Sequence, residues 1–232
     1  MVEIIVIRYK ILNKYNILYK IDNMNTTRIG YLLTTNEESA RYIFSKNLLE
    51  KIGFTVHCVK AIPHENKMLS NKLSMQYIYD TIQNSEEGFY YVFEDDINIL
   101  ENITLDEIIE YEKISKKFFY LGVCEYGGYL AFKSDIKIYG HDVYYKQGYA
   151  YGLHAVGINT LGAKELLEFS KKEEFNDLYL MDVILNKFCA FYNPAYVVRY
   201  DLEYSEATGH KGIMFQDRKI FPSMITPPTP PK

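Results

Sequence analysis

Phe89-Tyr90-Tyr91-Val92-Phe93-Glu94-Asp95-Asp96 decides how this chain is read. Five consecutive apolar residues indicate a strand buried on both faces. Three carboxylates follow with no spacer. In open α/β sheets the ligand crevice lies outside the carboxyl ends of the strands, so the acids stand where such a sheet presents its functional groups. If extended backbone persists, side chains alternate, with Glu94 and Asp96 on one side and Asp95 on the other. Adjacent carboxylates repel one another. A hard divalent cation, Mn²⁺ or Mg²⁺, relieves that repulsion and retains positions for phosphate oxygens. The plainer alternative is a solvated strand-end cluster that caps the next segment.

On the N-terminal side, the apolar run Arg28 to Thr35 leads into Thr35-x-x-Glu38, a capping-box pattern that predicts a helix start. Ala40, Ile43, Phe44 and Leu48 recur at helical spacing, Gly53 ends the helix, and Phe54 to Ile62 reads as a second strand. This βαβ opening implies parallel strands and a right-handed crossover. A helix around Ser74 to Ile82 and a polar turn, Asn84 to Gly88, precede the central strand. Beyond the acids, Thr104-x-x-Glu107 predicts a helix to about Lys116, and Phe118 to Val123 a further buried strand. Gly127 to Gln147, mixed in pattern, reads as a hairpin or loop. Ala163, Leu166 and Leu167 mark one helix, Leu178, Met181, Leu185 and Phe188 another, and Tyr196 to Tyr200 a late strand. The fold class is α/β, a single domain over 26–222 whose central, mostly parallel mixed sheet is flanked by helices. Residues 1–25 are an N-terminal extension, and 223–232 form an exposed Pro-rich tail.

The 232 residues suffice to bury a core without disulfides or a structural metal. A formal net charge of -4 from intermixed acids and bases lacks the basic footprint of nucleic-acid binding. Cys58, Cys124 and Cys189 are odd in number and lie in apolar surroundings, which suits buried free thiols in a reducing compartment. The run Ile4 to Ile7 is too short for a signal core or membrane span, so the expectation is a soluble, cytoplasmic protein without a transmembrane segment. Serine-hydrolase, Walker and GxGxxG motifs are absent, as are paired Cys motifs. The 23 tyrosines are read chiefly as core, although rings can also line a sugar site by stacking on CH faces. His154, in an apolar stretch, reads as a core residue. By helical angle Asp182 falls beside Leu178 and Leu185, near the inward face, where a partly desolvated carboxylate suits a general base.

Phe93-Glu94-Asp95-Asp96, the preceding Leu73-Ser74 helix, Gly152-Leu153-His154 through Leu167, and Leu180-Met181-Asp182 together resemble the family 25 glycosyltransferases of lipopolysaccharide biosynthesis and collagen glycosylation, which include viral members. The resemblance covers about residues 28 to 217. Met75 stands where the family has His, Tyr79 replaces a common Trp, and the early family element is missing. What the resemblance implies is a GT-A-like fold, a divalent ion and inverting sugar transfer from a nucleotide-sugar donor, a UDP-sugar, to a hydroxyl of a glycan or glycoprotein; if the chain is viral, host cytoplasm or virion is its place. In that reading Glu94 and Asp96 anchor the ion, Asp95 assists the ribose or the metal shell, and Asp182 takes the acceptor proton. His210, in Gly209-His210-Lys211-Gly212, stands where several GT-A enzymes supply a histidine to the metal, and Lys211 offsets phosphate charge. Thr34, Thr35 and Arg41 fall where GT-A folds receive the nucleotide. Gln216-Asp217-Arg218 resembles a C-terminal family element and carries no assigned role. Two alternatives stand beside this: a degenerate member that binds glycan or nucleotide without turnover, and a metal-dependent nucleotidyltransferase.

Overall fold

The computed structural model describes residues 27–124, 131–146, 152, 154–172, 174, 180–192, 195–204, 210–217 and 219–222. The expected extension over 1–25 and the tail over 223–232 lie outside them, as do Leu178, Gly209 and Arg218.

The chain opens as a parallel βαβ unit: β1 (Arg28–Thr34), α1 (Ala40–Ile52) and β2 (Phe54–Lys60), with β1 and β2 in parallel register. The cap of α1 differs from the expected box. Ser39, not Thr35, is the N-cap, its hydroxyl accepting from the Tyr42 amide. The residues before it are held in a turn by the Asn36 side chain, which accepts from the Glu38 amide. The apolar stripe also differs, because Ile43 and Phe44 are 48% and 36% exposed while Tyr42, Ser45 and Leu49 face inward. Gly53 ends the helix as expected, at φ 117°, where a side chain would be strained.

Next come α2 (Lys67–Gln83, capped by Asn66 and longer than the expected helix), β3 (Phe89–Glu94), β4 (Ile97–Ile99) and α3 (Leu105–Ile114). Thr104 caps α3 through the Glu107 amide, as expected. The run Phe118 to Val123 is not one strand: it breaks at Leu121 into β5 (Phe118–Tyr120) and β6 (Gly122–Cys124), which belong to different sheets. The ambiguous segment contains a hairpin, β7 (Ala131–Ile138) and β8 (His141–Lys146), turned by Tyr139 and Gly140 at φ 49° and 86°. Paired left-handed residues give a two-residue turn whose twist matches the strands. The chain continues through β9 (Ala155–Asn159), α4 (Thr160–Ser170), α5 (Met181–Tyr192) and β10 (Ala195–Val197), shorter than the expected Tyr196 to Tyr200. It closes with β11 (Glu203–Tyr204), β12 (His210–Gly212) and β13 (Met214–Gln216).

Eight strands form the central sheet in the order β2-β1-β3-β9-β5-β10-β8-β7. Tracing the pairings, β2, β1, β3, β5, β10 and β7 run one way, and β9 and β8 run against them. A mostly parallel mixed sheet is thus present. Its central strands alternate strictly: Tyr90 and Val92 of β3 pack with α2, α4 and α5, whereas Tyr91 and Phe93 pack with α1 and α3. Burial on both faces is the reason these strands read as continuous apolar runs. Cys124 and Cys189 are buried free thiols, but Cys58 on the edge strand β2 is only half-buried. No helix among the described residues is long and apolar enough to cross a membrane.

Candidate functional site

Leu33 of β1 sits opposite Glu94 of β3, so the two parallel neighbours end at the same edge of the sheet. The strand ends at Glu94 and the chain turns at Asp95 and Asp96, so the extended backbone that would alternate the three acids does not persist. Asp95 points toward β1 and α1: its Oδ2 accepts from Thr34 Oγ1 at 2.5 Å, and its Oδ1 lies 2.8 Å from Arg41 Nε. That guanidinium N–H is close in charge but is not aimed at the oxygen as a hydrogen bond. Ser45 Oγ of α1 donates to the Asp95 carbonyl at 3.0 Å and fixes the turn from below. Burial pushes the Asp95 carboxyl above its ordinary range, and the Thr34 hydroxyl and Arg41 partly offset this.

Glu94 and Asp96 meet one amide. Gln216 Nε2 donates to Glu94 Oε2 at 2.9 Å and reaches Asp96 Oδ1 and Oδ2 at 3.3 and 3.4 Å. Asn71 Nδ2, in the first turns of α2, donates to Glu94 Oε1 at 3.2 Å. Arg41 NH2 lies 3.2 Å from Asp96 Oδ2, so one guanidinium contacts two of the three acids.

Gln216 comes from 120 residues further along the chain. Its strand β13 pairs with β4, immediately past the acids, with Gln216 opposite Ile97. The Asp217 amide donates to the Asp96 carbonyl at 3.0 Å. That approach depends on Gly122, where a Cβ would stand 1.7 Å from the Met214 carbonyl oxygen. Asp217 in turn holds Asn98 and caps the turn over Lys219 and Ile220. The turn brings Phe221 against Phe44 and beneath the Arg41 guanidinium.

Glu94 and Asp96 converge on a single small donor, the Gln216 amide, and carboxylate oxygens are the ligand type that Mg²⁺ and Mn²⁺ prefer. No three His, Cys, Asp or Glu side chains among the described residues form a ready-made metal-holding group, so His210 does not complete one with the two acids. His210 is buried, its ring 5.6 Å from that of His154 and 6.4 Å from that of Phe215. His154 Nε2 lies 3.2 Å from the Met214 carbonyl, in keeping with its reading as a core residue. Lys211 Nζ stands 5.7 Å over the Tyr200 ring. Thr35 is exposed just past Thr34. Met75 and Tyr79, the family departures, are both fully buried.

Asp182 occupies the first turn of α5, where its Oδ1 accepts from the Val183 amide at 2.7 Å and the carboxylate is also bonded by the Gly152 backbone. Gly152 stands two residues before His154, whose carbonyl accepts from the Glu94 amide at 3.1 Å. Asp182 therefore lies at the acidic edge, on the α2, α4 and α5 side of the sheet. Burial pushes its carboxyl up, against the pull of those backbone donors. Tyr120, whose hydroxyl lies 3.2 Å from Cys189 Sγ, feels the same carboxylate.

Thr34, Arg41, Glu94, Asp95 and Asp96 are thus brought together, with Asp182 along the same edge. Sequence reasoning passed over Asn71, Ser45 and Gln216. Only the last carried a signal, as part of a segment noted without a role.

No family model matches the chain, and no curated protein matches its sequence. Among solved structures it is similar to the crystal structure of a glycosyltransferase involved in the glycosylation of the major capsid of PBCV-1, at 10% identity and a TM-score of 0.41, over 67% of this chain and 72% of that chain. A likeness this slight says nothing of chemistry.

Proposed function

We propose that the protein is a metal-dependent glycosyltransferase of the GT-A kind, moving a hexose or related sugar from a nucleotide-sugar, a UDP-sugar, to a hydroxyl of a glycan or glycoprotein. The observation that carries the reading is the gathering of three acids at the sheet edge, Glu94 and Asp96 on one amide and Asp95 on Thr34, with Arg41 against both aspartates. The family 25 resemblance of the segments around 93–96 and 152–167 agrees with it.

Glu94 and Asp96 would hold the cation, Mn²⁺ or Mg²⁺, which when bound supplies Lewis-acid neutralisation of the departing diphosphate. Asp95, held by Thr34, keeps Arg41 at the edge, where the guanidinium would balance phosphate charge, with Thr35 exposed beside it. Asp182 takes the acceptor proton as the acceptor oxygen bonds to the anomeric carbon and the bond from that carbon to the diphosphate oxygen breaks. Desolvation suits this, because a carboxyl held above its ordinary range is a stronger base. The free-enzyme activity should therefore lose its acid limb at a pH above that of an ordinary aspartate.

The test is a panel of nucleotide sugars with Mn²⁺ or Mg²⁺, assayed for release of nucleoside diphosphate and for transfer. Metal-dependent release of UDP from one donor is the expected result. Pyrophosphate release from CTP or ATP would replace the reading with nucleotidyl transfer, and metal-dependent UDP binding with no turnover of any donor would make this a binding member of the fold.

A further inference from the structure

We infer that the outer edge of β2 is a pairing surface for a second copy of this chain, the two β2 strands meeting antiparallel about a two-fold axis at His57 so that the two central sheets become one. This surface is independent of the transferase reading.

The central sheet ends in β7 on one side and β2 on the other, and the two edges are built differently. β7 shifts register against β8 between Lys133 and Lys137 and exposes Lys133, Asp135 and Lys137. Broken register and charged side chains are the usual devices that keep an edge from pairing. β2 carries neither along its length. Its residues from Phe54 to Lys60 stay in unbroken parallel register with β1, include no proline, and bear one cation at the far end, Lys60, whose Nζ lies 2.9 Å from Glu37. Among the described residues no strand pairs with the outer side of β2.

The Ala61 amide donates inward to the Thr34 carbonyl at 2.8 Å. Peptide groups alternate along a strand, so Thr55, His57 and Val59 bond toward β1, while Phe54, Val56, Cys58 and Lys60 present N–H and C=O outward. With a two-fold axis perpendicular to the sheet, each face continues across the seam. The antiparallel register centred on His57 then joins all four outward residues, Val56 with Cys58 of the second copy and Phe54 with Lys60, each twice. A register centred on Val56 would leave Lys60 without a partner, and one centred on Cys58 would leave Phe54. The side chains agree with the His57 register. Thr55 and His57 are exposed, and Val56 and Cys58 are half-buried. Val56 meets Cys58 on the α1 face and Thr55 meets Val59 on the other, pairs of branched or small side chains that suit cross-strand contact. Lys60 falls opposite Phe54, so no like charges meet. A strand that is its own complement selects a second copy of the chain over an unrelated extended segment.

The experiment uses the full chain. Sedimentation should give the mass of two chains, and hydrogen exchange should show the Val56, Cys58 and Lys60 amides protected in the dimer and released on dilution to monomer. Val56→Pro removes an outward N–H that the chain's own sheet does not use, so the melting temperature of the diluted monomer should hold while the dimer weakens about 100-fold. His57→Cys in a Cys58→Ser background should cross-link two copies under mild oxidation, because residues at that centre stand about 4.5 Å apart. Thr55→Cys in the same background lies about 14 Å from its copy and should not. A natural chain with the mass of one copy overturns the proposal, and protected β2 amides in that monomer would assign the edge to another segment of the same chain. A dimer that Val56→Pro leaves undisturbed and His57→Cys does not cross-link overturns it equally, because the interface then lies elsewhere.

Discussion

β1 and β3 carry charged clusters at both ends, and the two are built to opposite rules. At the starting end Arg28 meets Glu112 of α3 through two parallel hydrogen bonds, both 2.7 Å, and the Tyr91 hydroxyl donates to the same carboxylate at 2.6 Å. One cation faces one anion in fork geometry, the arrangement that best repays desolvation. Arg199 forks onto Glu107 at 2.7 and 2.8 Å and also donates to Glu101 at 3.0 Å, tying the turn after β10 to α3. At the finishing end three carboxylates crowd one turn, and the guanidinium in contact with them reaches two of them. Neutral amides from Asn71 and Gln216 also contact them. The metal-binding reading proposed above would account for that crowding.

The comparison breaks most visibly under removal of a carboxylate from each end. Glu112→Ala leaves a guanidinium and a buried tyrosine hydroxyl without their acceptor and should destabilise by about 3 kcal/mol, read from urea unfolding. A loss below about 1 kcal/mol would remove the contrast. Asp182→Asn should act in the other direction. Burial holds the Asp182 carboxyl above its unfolded value of about 3.9, so the folded state binds more protons between the two values. Stability is accordingly full below the unfolded value, falls as pH rises through the folded one, and stays lower at neutrality. The asparagine variant should be more stable than the natural chain at pH 7 and lose that advantage below about pH 4; an advantage independent of pH would mean that ionisation is not its source. Ser39→Ala removes the cap that starts α1, the helix bearing Arg41, and should cost about 1 kcal/mol. Smallest of all, Asp96→Asn keeps an oxygen to accept from Gln216 and trades the Arg41 contact against relief of like-charge crowding, so it should change stability by less than about 1 kcal/mol. A large loss there would make the acidic turn a structural cluster like the one at the other end.

The strands and the acidic turn were legible because their determinants are local. A run buried on both faces announces itself in five residues, and so does a break into carboxylates. The β1–α1–β2 opening was equally readable, but its cap was not: Thr35-x-x-Glu38 and Ser39 are both credible starts, and the Asn36 turn chooses between them. Ile43 and Phe44 looked like core by spacing, yet Phe44 serves the C-terminal turn through Phe221. The hairpin was obscured because its left-handed turn uses Tyr139 before Gly140, and tyrosine is not a residue that advertises φ 49°. Gln216 illustrates the limit most clearly. Its link to Glu94 spans 122 residues and depends on a backbone approach at Gly122 that no periodicity encodes.

The central claim is that the crowded edge exists to seat a divalent ion. Mn²⁺ titration followed by electron paramagnetic resonance, with UDP present and absent, addresses it directly in the natural chain, Asp96→Asn and Glu112→Gln. One tight Mn²⁺ per chain, strengthened by UDP, lost in Asp96→Asn and kept in Glu112→Gln, is the predicted result. Mn²⁺ that stays free in the natural chain, or that binds the Asp96→Asn variant equally well, would contradict it.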